Sequence, residues 1–166
     1  AQSGLALDGA AAARAAVVIG TGVGAELSRD EQSRRLYREQ AERLHPLTIV
    51  RSMNNAPVSQ ISIAFGLRGP AFAVSSACAS ANHALAQAAL LIRHGLADVA
   101  IAGGSEACLS LPLIRAWEAM RVVSDDTCRP FCAQRSGLVL GEGAGIFVLE
   151  SAAHASARGA VPLAEL

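Results

Sequence analysis

The chain has 166 residues, with 14 arginines, no lysine and 14 Asp or Glu, so its formal net charge is +0. Without lysine there is no amine for a pyridoxal Schiff base and no Walker-A or kinase-type phosphate lysine. Without a basic surplus there is no electrostatic footprint of a nucleic-acid binder, and a 52% hydrophobic fraction with 17% charge excludes a disordered chain.

In chain order, residues 1–16 (AQSGLALDGAAAARAA) lack the basic n-region and clean apolar h-region of a signal peptide. No apolar run approaches the ~20 residues of a membrane span. A single cytoplasmic domain with reduced thiols is therefore expected. Residues 15–19 (AAVVI) read as a buried strand entering the glycine-rich turn GTGVG at 20–24. Residues 29–44 read as a surface helix stopped by His45-Pro46. Residues 48–67 are mixed, with a break at Pro57. A strand over 71–75 (AFAVS) is followed by a helix over 79–94 that ends before Gly95. Residues 98–102 (DVAIA) read as a strand ending at Gly103-Gly104, and 111–120 as a helix with Pro112 in its first turn. A strand over 146–150, a helix over 152–158 and the start of a strand over 162–166 complete the pass. Strands alternating with helices, several continuously apolar, predict a helix-covered α/β sheet. The first residues read as the end of a helix and the last stop inside an apparent strand. A fragment of a longer chain is expected.

The most informative segment is VSSACASANHAL, beginning at Val74, where a strand runs into a helix around Cys78. Small neighbours permit a sharp turn and substrate access to the sulfur. A helix N-terminus favours a thiolate. This arrangement serves covalent catalysis, although a cysteine in an alanine-rich core is an equally ordinary structural feature. His83 lies five residues on, roughly 140° round a helix from Cys78, and His94 is offset by a similar angle, so neither shares the sulfur's face. His45 has no recognisable catalytic context, and His154 reads as a surface residue. A partner base is expected from elsewhere.

Competing motifs fail. GTGVGA lacks the G-x-G-x-x-G spacing and an acidic partner. GGSEA at 103–107 lacks the final glycine of a serine elbow. Cys128 and Cys132 are spaced C-x3-C without the second ligand pair of a zinc site, so no metal is expected. GEGAG at 141–145 reads as close backbone packing.

Five motifs occur together and in order: GLRGP at 66–70, VSSACASANH at 74–83, ADVAIAGGSE at 97–106, CRPF at 128–131 and GEGAG at 141–145. In this the chain resembles the β-ketoacyl-acyl carrier protein synthases of fatty-acid and polyketide synthesis. The likeness is to the elongating type, nodulation-type and polyketide-type relatives included. It runs from about residue 15 to 166 and covers well under half of a typical member.

The resemblance implies an α/β, thiolase-like layered sheet with helices on both faces, of which this chain is the later part of the N-terminal half. Cys78 matches the nucleophile that takes an acyl group from carrier-protein phosphopantetheine, and its backbone N–H matches one of two oxyanion donors. Malonyl-carrier protein then loses CO₂ and its carbanion attacks the thioester. The two histidines and the lysine that support decarboxylation belong to the C-terminal half, and nothing here matches them. Val23 and Trp117 match positions beside the acyl chain, and Thr48 matches one that reaches the partner subunit's acyl pocket. No cofactor is implied. The implied partners are acyl carrier protein and a second copy, paired through the strand at 72–75. The chain departs from the family over 125–137, where the usual loop is shortened to SDDTC and the acidic run after RPF is replaced by CAQRSG. A non-catalytic scaffold subunit of the chain-length-factor type is the alternative reading. The retained Cys78 ranks it below the enzyme.

Overall fold

The computed structural model describes residues 3–166. In chain order the elements are α1 (Gly9–Ala13), β1 (Ala15–Gly20), α2 (Glu26–Tyr37), α3 (Thr48–Ser52), α4 (Ala56–Phe65), β2 (Ala71–Val74), α5 (Ser80–Arg93), β3 (Val99–Glu106), α6 (Leu111–Ala119), β4 (Gly143–Glu150) and α7 (Ala152–Ala157). The strands form one sheet in the order β2-β1-β3-β4. β1 runs parallel to β2, with Val17 opposite Ala71, and parallel to β3, with Ala15 opposite Val99. Among the described residues no helix is long and apolar enough to cross a membrane.

β1 is apolar throughout because both of its faces are covered, and all six of its residues are buried. Side chains alternate across a strand. Ala15, Val17 and Ile19 meet Ala12 of α1, Val58 of α4, Leu67 and Ile101 on one face. Ala16 and Val18 meet Ala84 and Ala88 of α5 with Ala97, Ala100 and Ala102 on the other. Alanines on both sides of that second layer let α5 lie close on the sheet. This is the expected α/β sheet with helices on both faces.

Two compact units divide the chain. One comprises Ala1–Val23, Asn54–Ser105 and Ala144–Leu166, and holds the sheet apart from its end residues Glu106 and Gly143. The other comprises Gly24–Met53 and Glu106–Gly143, and holds α2, α3 and α6.

Several expectations from sequence are corrected. The helix expected over 29–44 is α2 and ends at Tyr37. Arg38 and Glu39 both donate backbone N–H groups to the Arg34 carbonyl, and Gln40 turns left-handed at φ 50°. The buried Gln32 side chain then accepts the N–H of His45, folding the chain back along its own helix. Residues 48–67 form two helices, and Pro57 stands in the first turn of α4 rather than breaking it. β3 does not stop at Gly103 but continues to Glu106. A Cβ on Gly103 would overlap the Gly145 carbonyl, and one on Gly104 would lie 2.7 Å from the Ala81 Cβ. These strand glycines mark close approach, not termination. No strand forms over 162–166, where Leu163 and Leu166 are exposed and no neighbouring strand supplies a ladder among the described residues.

Candidate active site

Cys78 sits on the connection between β2 and α5. Val74 ends the strand, and Ser80 is the first helical residue, with Ala79 as its N-cap. Cys78 therefore precedes the helix, so a helical wheel does not set its angle to His83. The turn is made by Ala77, which adopts a left-handed backbone at φ 52°. Such a conformation costs a residue with a Cβ on the order of 1 kcal/mol and persists only where neighbours hold it. The Cys78 thiol is free and exposed.

One side chain gathers this turn. Ser80 is 3% exposed. Its Oγ accepts the Ser76 N–H at 2.9 Å and lies 2.6 Å from the Ala77 carbonyl oxygen and 3.2 Å from that of Thr21. The Ser80 N–H also donates to the Ala77 carbonyl at 3.1 Å. Thr21 directly follows β1, so the hydroxyl joins the start of α5 to the end of the central strand. Gly20 makes this approach possible. A Cβ there would overlap the backbone of Ser80 and Ala81.

Val23 ends the first segment of the same unit, exposed on the loop after β1. The preceding residue, Gly22, accepts a 3.3 Å hydrogen bond from Ser75 Oγ, which brings this loop beside the one carrying Cys78. Thr48 and Trp117 belong to the other unit. Thr48 opens α3 with its hydroxyl 2.5 Å from the His45 carbonyl and 3.2 Å from Gln32 Oε1, so the hydroxyl is engaged locally. Trp117 is half-buried on α6. A cavity of about 220 Å³ in that unit is lined by Glu118, Arg121, Val123, Ser124 and Asp125 and by none of the four candidates.

His83 and His94 are exposed on and just after α5. His154 is not a free surface residue: it is half-buried, with Nδ1 2.8 Å from Glu150 Oε2, which also accepts from Arg158. Burial pushes the Cys108 thiol up from its ordinary range, and the carboxylates of Glu106, Glu142 and Glu26 push it further. The Cys132 thiol donates to Gln134 Oε1. Among the described residues no group of three His, Cys, Asp or Glu side chains could hold a metal ion.

The elbow can present a nucleophilic sulfur to an electrophile. Sequence reasoning found Cys78 but missed Ala77 and Ser80. The only sequence signal for the latter was a serine two residues past the cysteine, at the start of a helical stretch.

Residues 1–155 match the family model described as "Beta-ketoacyl synthase, N-terminal domain". Nodulation protein E of Rhizobium sp. (strain N33) is 48% identical over 165 residues, covering 99% of this chain and 41% of that protein. The chloroplastic 3-oxoacyl-acyl-carrier-protein synthase I of Arabidopsis thaliana is 38% identical over 158 residues, covering 92% and 33%. A solved complex, described as a type II polyketide synthase acyl-carrier protein with its ketosynthase bound to the hexaketide, aligns with a TM-score of 0.80 at 30% identity. That alignment covers 90% of this chain and 40% of the solved one. The chain thus spans less than half the length of the curated relatives it matches.

Proposed function

Because the chain belongs to the β-ketoacyl synthase family through its N-terminal domain, we propose that the whole protein is a cytoplasmic elongating synthase in which Cys78 carries the acyl group. The observation that carries this reading is an exposed thiol on a strained strand-to-helix turn, at the position matching the family nucleophile. Cys78 Sγ attacks an acyl thioester of carrier-protein phosphopantetheine. The oxyanion is met by the Cys78 N–H, and collapse expels the carrier thiol, which takes up the proton given up by Cys78. Malonyl-carrier protein then loses CO₂. Its carbanion forms a C–C bond to the thioester carbonyl, and the bond from that carbon to Sγ breaks. Histidines and a lysine from the C-terminal half support the decarboxylation. By their match to family positions, Val23 and Trp117 are assigned to contact the acyl chain, Trp117 with a larger ring than relatives carry there, and Thr48 is assigned to reach the partner subunit's acyl pocket.

The carrier protein is the proposed substrate partner, in keeping with the carrier-bound ketosynthase among the structural neighbours. A second copy is the proposed structural partner. β2 lies at one edge of the sheet, and an added strand there would satisfy its open side.

The test is acylation of the full-length protein by a short acyl thioester, mapped by mass spectrometry. Cys78 should be modified before Cys108, Cys128 and Cys132. Preferential modification of another cysteine would overturn the reading. A protein that stays unacylated yet pairs with an active synthase would be a scaffold subunit.

A further inference from the structure

We propose that Ser80 is a positioning residue for the Cys78 elbow, and that its buried hydroxyl orients the peptide whose N–H receives the oxyanion. The inference rests on the assignment of Cys78 as nucleophile. The Ala77 carbonyl and the Cys78 N–H belong to one planar peptide and point in opposite directions. Ser80 holds that carbonyl twice, through Oγ at 2.6 Å and its own N–H at 3.1 Å. The same Oγ accepts the N–H of Ser76, on the other side of Ala77. One hydroxyl thus clamps both sides of the left-handed residue. The Cys78 N–H, on the opposite side of that peptide, is thereby aimed away from the Ser80 hydroxyl. The clamp is itself anchored, because Ser80 is buried against the end of β1 and lies 3.2 Å from the Thr21 carbonyl. Ala77, being exposed, contributes no buried side chain that could hold the turn.

A hydroxyl that orients an oxyanion donor has a signature that a packing residue lacks. Acyl transfer passes through a tetrahedral oxyanion and needs that donor. Alkylation of the same sulfur by iodoacetamide displaces iodide and needs no donor. Ser80→Ala in the full-length protein should slow acyl transfer from an acyl-N-acetylcysteamine thioester about tenfold or more, a part of the roughly 100- to 1,000-fold that loss of an oxyanion donor itself costs, since the N–H remains but is no longer held in place. Alkylation of Cys78 should change less than about threefold, since its only requirement is an accessible thiolate. Adding Ala77→Gly to Ser80→Ala should restore much of the acyl transfer, because glycine enters a positive φ without the strain that alanine needs the clamp to overcome.

Equal loss in both reactions, loss in neither, or failure of Ala77→Gly to rescue would each overturn the proposal. If Ser80→Ala does not fold, Ala77→Val decides. Its side chain is exposed, and a β-branched residue resists a left-handed backbone. It should slow acyl transfer selectively, and unchanged acyl transfer would overturn the proposal. A wild-type protein modified elsewhere than Cys78 would sink the nucleophile assignment and this inference together. Wild-type modification at Cys78 with Ser80→Ala equally fast would sink this inference alone.

Discussion

The Cys78 and Cys108 sulfurs differ in what surrounds them. Cys78 is exposed, whereas Cys108 is half-buried near the carboxylates of Glu106, Glu142 and Glu26. Burial first and then the nearby negative charge disfavour its thiolate, and the thiolate is the reactive form. At pH 8 Cys108 should therefore alkylate more slowly than Cys78 or Cys128. Its rate should still be climbing above pH ~9, where ordinary cysteines level off. Peptide mapping after timed iodoacetamide quenching reads this directly, and equal rates at pH 8 would refute it. Gly20 makes a second residue-level case. A methyl at this position strikes the Ser80 backbone, which cannot swing aside as a flexible side chain would. Gly20→Ala should cost roughly 1–3 kcal/mol, as overpacking does, and should slow Cys78 acylation by displacing the start of α5. A Tm and an acylation rate both matching wild type would show that the strand end is free to move.

Among the elements, the layer between the sheet and α5 is built from small residues. Ala84 and Ala88 face Ala16, Val18, Ala100 and Ala102, all buried. Ala88→Leu forces three extra carbons into that layer and should destabilise by about 1–3 kcal/mol. Ile19→Ala on the opposite face should cost about 2–5 kcal/mol, whereas Ile63→Ala, 75% exposed on α4, should stay within about 0.5 kcal/mol. Urea midpoints at constant m would rank the three, and a neutral Ala88→Leu would mean that α5 is not held against the sheet. This contrast also explains what could be read from the sequence. β1 and α5 were legible because their apolar pattern reports burial, which is set by local periodicity. The full length of β3 is not legible in the sequence, because a glycine in a strand looks the same whether it ends the strand or admits a neighbouring backbone. α2 ends earlier than its charged stretch suggests, because the Arg34 carbonyl takes two backbone N–H groups and Gln40 turns left-handed, and the returning chain is then held by Gln32 on His45, thirteen residues later. Cys78 was legible from its small neighbours. The left-handed Ala77 was not, since alanine has no preference for that conformation. The role of Ser80 also needs the Thr21 carbonyl, 59 residues away in sequence.

Across the whole molecule, the last helix is tied back to the start of the chain. Arg158 donates to Glu150 through Nε and Nη2 and to the Ser3 carbonyl through Nη1, while His154 adds Nδ1 to the same carboxylate. The Arg158 hydrogen bonds hold the Glu150 carboxyl below its ordinary range against the opposing effect of burial. Arg14 does the same for Asp98 through its own hydrogen bond. A carboxyl depressed by folding stabilises above its unfolded pKa, near pH 4, and this contribution is lost as pH falls through the folded value. Glu150→Gln should therefore lower Tm at pH 7 and shrink the gap to wild type as pH drops below about 4. A gap independent of pH would mean that the charge is not what stabilises.

The sheet edges act on the same scale. Ile146, Phe147 and Val148 are exposed on β4, and Phe72 on β2, and among the described residues both strands leave one side unpaired. An open ladder beside exposed apolar side chains templates association. A polypeptide limited to residues 1–166 should self-associate as its concentration rises, and Phe147→Lys should reduce that association by placing a charge on the edge. Light scattering on a sizing column across a concentration series measures both. A monodisperse monomer at every concentration would show that these edges are inert, and would require the exposed faces of β2 and β4 to be covered by the chain's own residues in solution.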